Sequence, residues 1–67
     1  MKIKYFEDTD TAHMEFSDHT ISETREINEN LYIDLDDVGN VVSVTIEHAS
    51  IQANISELAF QRIAAEG

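Results

Sequence analysis

From its first residues the chain alternates. Ile3 and Tyr5 stand between Lys2, Lys4 and Phe6, a period of two that predicts a strand with one apolar face, and Glu7-Asp8-Thr9-Asp10 then breaks it with turn-forming residues. Ala12, Met14 and Phe16 alternate with His13 and Glu15, so a second strand is predicted to pair back on the first. Between Ile21 and Ile27 the pattern weakens, because the positions of matching parity carry Glu23 and Arg25. A strand of that kind suits a sheet edge or a bulge. After Asn28-Glu29-Asn30, where an asparagine is expected to take the left-handed conformation, Leu31, Ile33 and Leu35 alternate cleanly with Tyr32, Asp34 and Asp36. Asp36-Asp37-Val38-Gly39-Asn40 reads as a type I turn in which Gly39 supplies a positive φ, and Val42, Val44 and Ile46 return as a β-branched strand.

Beyond Glu47 the period changes. Ile55, Leu58, Ala59 and Ile63 fall on one helical stripe, and Asn54 with Glu57 three residues on has the spacing of a capping box, so a helix is predicted from about Asn54 to Glu66. On such a helix Phe60 lies about 140° from Ile55, away from the stripe, and Ile51 is left over as well. The expected architecture is α+β: an antiparallel β-meander of about five short strands followed by one C-terminal helix packed on one sheet face, as a single unit over residues 1–67.

Composition sharpens this picture in three places. Hydrophobic residues make up 42% of the 67, enough that folding is expected despite a net charge of −10. A core this small gives little stability alone, and with no cysteine there are no disulfides or thiolate metal sites to reinforce it. Oligomerisation remains, and a homodimer is the expected state. Four Lys plus Arg against fourteen Asp plus Glu repel phosphate backbones and attract cationic surfaces, which argues against nucleic acid and for a basic protein as any further partner. The chain has no apolar run of signal-peptide or membrane-spanning length, so a cytoplasmic protein with no membrane role is expected.

Few residues suggest chemistry. Asp8 and Asp10 have a D-x-D spacing able to offer two carboxylates to a cation, with His13 nearby, but neither the glycine nor the distant glutamate of a calcium loop follows. A solvated turn is the simpler reading, and no metal or cofactor is expected. Alternation puts Asp34 and Asp36 side by side on an outer strand face with Asp37 beyond, which reads as a solvated acidic face. His13, His19 and His48 show no i, i+4 zinc spacing, and the serines lack a nucleophile elbow, so an enzyme is not expected. The leading reading is a protein-interaction module using Asp34, Asp36, Asp37, Phe60 and Ile51; the alternative is a small metal- or ligand-binding domain using Asp8, Asp10 and His13.

The order of an acidic turn ending in Asp10, a strand, Leu31-Tyr32-Ile33-Asp34-Leu35-Asp36, a Gly39 turn, Val41 to Glu47 and then Ala49-Ser50 resembles the YuzE-like family of short bacterial proteins of unknown function. That family often has Leu-Tyr where this chain has Ala12-His13, and an acidic residue in place of His48. The resemblance implies the β-rich fold and supplies no catalytic residue.

Overall fold

The computed structural model describes residues 1–65. Five strands form one antiparallel sheet: β1 (Lys2–Phe6), β2 (Thr11–Glu15), β3 (Glu23–Asn28), β4 (Leu31–Leu35) and β5 (Val41–Glu47). Their spatial order is β1-β2-β5-β4-β3, so the expected simple meander is corrected. A β1–β2 hairpin and a β3–β4–β5 meander are joined side by side, and the last strand occupies the centre. β3 is the edge strand its polar pattern predicts. It carries a bulge where Ile27 is skipped between the Glu26–Tyr32 and Asn28–Leu31 pairs.

The β4–β5 turn forms as read. Gly39 has φ 87°, its N–H donates to Asp36 O at 3.2 Å, and Asp36 N–H donates to Asn40 O at 2.9 Å. The β3–β4 turn differs from expectation. No asparagine there has positive φ; instead the Asn28 side chain accepts from the Asn30 N–H at 2.8 Å, closing an Asx turn. Among the described non-glycine residues the left-handed conformation falls to Asp10 and His48, both at φ 54°.

The predicted helix from Asn54 to Glu66 is not found in the described residues. A four-residue helix, α1 (Ala49–Gln52), precedes it, and a single 3₁₀ turn spans Ile55–Glu57. Leu58 is extended, and residues 58–65 have no regular structure; Glu66 lies outside the described residues. The reason is local. Asn54 makes no side-chain cap bond to the backbone, its Oδ1 accepting instead from Ser56 Oγ at 2.9 Å. A helix of about a dozen residues is marginal in water unless a packed face holds it, and here Leu58 and Ile63 of the stripe remain exposed.

The buried apolar side chains are few and mostly small: Ala12, Leu35, Val42 and Ala49. The accessible surface is 5389 Å², against about 4,300 Å² for a compact chain of this mass. The radius of gyration is 13.6 Å, where about 11 Å is usual for this length. The molecule is a thin layer whose shortest dimension is 20 Å.

Candidate interaction surface

Antiparallel register puts directly opposed residues on the same face, which sorts the sheet into two kinds of row. On one face lie Lys2–Glu15–Ser43–Asp34–Thr24 and Lys4–His13–Thr45–Tyr32–Glu26. On the other lie Ile3–Met14–Val44–Ile33–Arg25 and Tyr5–Ala12–Ile46–Leu31–Asn28.

Apart from Lys2, the polar face is largely paired within the chain. Lys4 Nζ donates to Glu15 Oε1 at 3.0 Å, and His13 Nδ1 lies 3.0 Å from Thr45 Oγ1. Asp34 receives Ser43 Oγ at 2.5 Å on one oxygen and Thr24 Oγ1 at 2.6 Å on the other. Burial opposes ionisation of Asp34, but these two hydroxyl donors outweigh it and hold the carboxyl below its usual range. Glu15 is also lowered, first through the hydrogen bond from Lys4.

The apolar face has no such closure. Ala12 is fully buried, but Met14, Val44, Ile33, Ile46 and Leu31 are only half-buried and Ile3 is 37% exposed. The segment after α1 covers one margin, where Leu58, Ala59 and Phe60 with Met1, Ile3 and Met14 line an open groove of about 470 Å³. Phe60 itself is 78% exposed. The charged members of these rows, Arg25 with Glu23 beside it on β3, sit at the edge and pair with each other at 2.7 Å. The other strand acids, Glu15, Glu26, Asp34 and Glu47, belong to the polar face.

The sequence-derived candidates do not assemble as grouped. Asp8 is exposed in the first turn, and His13 sits on the polar face beside Thr45. Asp10 accepts Tyr5 Oη at 2.5 Å and Ser50 N–H at 3.0 Å on Oδ1, and Ser50 Oγ at 2.7 Å on Oδ2. Its backbone carbonyl also takes the Ala49 N–H at 2.9 Å. Asp10 thus ties the β1–β2 turn to α1, and its carboxyl is lowered first by the tyrosine hydrogen bond and then by Ser50, while Tyr5 is raised by the same bond. Among the described residues no group of three or more His, Cys, Asp or Glu side chains is placed to hold a metal ion.

The expected solvated face of Asp34, Asp36 and Asp37 is also corrected. Strand β4 ends at Leu35, so alternation stops before Asp36, whose side chain turns in and is 5% exposed. It accepts the Val38 N–H at 3.1 Å and the Asn40 N–H at 2.8 Å, and takes His19 Nδ1–H at 3.0 Å. The His19 contact is the chief reason its carboxyl is lowered, and Asp36 in turn raises the His19 imidazole. Only Asp37 of the three is freely exposed. Ile51, 80% exposed on α1, does not line the Phe60 groove.

Sequence reasoning missed three partners here. Tyr5 and Ser50 gave no signal, because their contact with Asp10 joins segments 40 residues apart in the case of Ser50. His19 was visible as a histidine, but its pairing needed the β2–β3 connection laid across the end of β4.

The chain belongs to a family described as a protein of unknown function (DUF2283), which matches residues 2–50. The match takes in the whole sheet and ends at Ser50, the residue that Asp10 binds. No curated protein and no solved structure matches the chain.

Proposed function

We propose that this protein is a non-enzymatic interaction module acting as a homodimer, in which two copies bury the apolar faces of their sheets against each other. The observation that carries the reading is the apolar row Ile3–Met14–Val44–Ile33, which stays partly exposed in a sheet whose opposite face is polar and largely hydrogen-bonded within the chain. The surface exceeds that of a compact chain by roughly 1,000 Å², comparable with the ~800 Å² each partner loses in a standard interface. Charge supports the same pairing. Two copies at −10 each repel, yet the strand acids lie mostly on the polar face or at the β3 edge, so they remain in water when the apolar faces meet.

The dimer carries an acidic outer surface, with Asp37 among its exposed groups, and a basic protein is the further partner that this surface favours. The same reading takes the chain as a cytoplasmic protein with its whole length in one unit, and keeps the YuzE-like likeness as its finer family placement; the Asp10–Ser50 tie supports that likeness by joining two of its hallmarks. Among the described residues no helix is long and apolar enough to cross a membrane.

Sedimentation equilibrium from about 1 to 500 μM tests the proposal. A mass near twice 7.6 kDa, falling to a single chain in a Val44→Lys variant that stays folded by circular dichroism, is the expected result. A wild-type protein that remains monomeric throughout, with a melting temperature independent of concentration, removes it.

A further inference from the structure

We propose that the free edge of β1 accepts an extended segment of another protein as an added strand, and that this segment alternates acidic with apolar side chains. The proposal uses the hydrogen-bonding edge of β1; its apolar contacts border the proposed dimer face at Ile3 and Met14, so binding is read on the monomeric Val44→Lys protein as well as on the wild type.

The two edges of the sheet differ. β3 is bulged at Ile27, which breaks the register a further strand would need, whereas both edges carry charged side chains. β1 is regular through all five pairs with β2, exposed at every residue, and among the described residues its backbone bonds to no other element. It presents an unpaired row of N–H and C=O groups, and strand addition is the recognition mode such a row serves.

Side chains on β1 define the guest. Lys2 and Lys4 point to the polar face and make up half of the four Lys plus Arg in a chain of net charge −10. Lys4 is paired with Glu15, whereas Lys2 has no ion pair among the described residues. A strand added ~4.8 Å away brings its own side chains opposite these lysines, where carboxylates are favourable and cations are not. On the other face, Ile3 stands beside the groove formed with Met14, Leu58, Ala59 and Phe60, so the alternate guest residues meet apolar surface.

A second copy of β1 does not fit. Pairing about a twofold perpendicular to the sheet keeps like faces together; the register that uses the whole strand sets Lys4 against its own equivalent, and a shift of two residues sets Lys2 against Lys4, like charges directly opposed being destabilising.

The test uses the ¹⁵N-labelled full chain titrated with a capped peptide of alternating Glu and Val, and separately with one of alternating Lys and Val, at about 50 mM salt. The expected result is saturable amide shifts over Lys2–Phe6 and 58–60, slowed exchange of alternate β1 amides, and binding of the acidic peptide at least about 10-fold tighter. The Lys2→Gln/Lys4→Gln variant, which removes both charges without setting like charges against Glu15, should abolish that preference, and Val44→Lys should leave it unchanged. Absence of shifts at β1, shifts centred on β3, or equal affinity for the two peptides overturns the assignment. Loss of binding in a folded Val44→Lys variant also overturns it, by showing that the edge does not act independently of the dimer.

Discussion

In the polar row, Glu15, Ser43, Asp34 and Thr24 each find a partner within the chain, whereas in the neighbouring apolar row Ile3, Met14, Val44 and Ile33 remain partly open to water. The difference follows from the range of the forces. Hydroxyls and carboxylates are satisfied by neighbours about 5 Å away in the same layer, so one sheet can complete its own polar face. Apolar area leaves water only beneath a second layer, and Leu58, Ala59 and Phe60 supply a margin of one. A one-layer protein is therefore complete on one side and incomplete on the other.

The largest expected effect contrasts the faces directly. Val44→Lys and Thr45→Lys place the same charge one residue apart on opposite sides of β5. The first should weaken dimerisation at least about 100-fold, as for loss of a central interface anchor, and the second by less than about 3-fold, read by sedimentation. Comparable losses from both would show that the faces are not distinct in the way described. Next, Ser43→Val removes a buried donor from Asp34 and should cost about 1–3 kcal/mol in chemical denaturation, with the dimer contacts unchanged. Gly39→Ala should cost about 1–2 kcal/mol, because φ 87° strains a residue with a Cβ although there is open space around the site. That turn sets the β4–β5 register, and a slip of one residue would exchange the two faces.

The smallest effect is a pH dependence. His19 is raised by Asp36, so its contribution is fully present below the unfolded imidazole value of about 6.5 and fades as pH rises through the higher folded value. Asp36 is lowered, so its contribution is present above about 3.9 and fades as pH falls through the lower folded value. The melting temperature should thus be higher at pH 6 than at pH 8.5, and His19→Gln should reduce that difference. An unchanged difference would assign the pH response to other groups.

Much of this was legible from alternation alone. Ile3/Tyr5, Ala12/Met14, Leu31/Ile33 and Val44/Ile46 marked four strands and their apolar sides, and Glu23 and Arg25 marked an edge. The strand order was not legible, because pairing of Met14 with Val44 joins residues of the same kind that could equally pair with Ile33, and only the path of the β2–β3 connection decides. Asp36 misled because a period of two holds only while the strand lasts. The helix misled because a helical period alone does not make a helix: Leu58 is extended, and Leu58 and Ile63 stay exposed instead of packing as one stripe on the sheet.

The place of β5 at the centre carries a consequence for how the chain acquires its shape. The β1–β2 hairpin and the β3–β4–β5 meander are each built from contacts close in sequence, while the β2–β5 seam and the Asp10–Ser50 tie close loops of some 30 to 40 residues. Local pieces form quickly and distant closures slowly, so the seam is the expected bottleneck of folding, with two preformed halves meeting along it. A Ser50→Ala variant tells the order of the two closures: faster unfolding with unchanged refolding places the tie after the seam, and slower refolding places it within the same barrier.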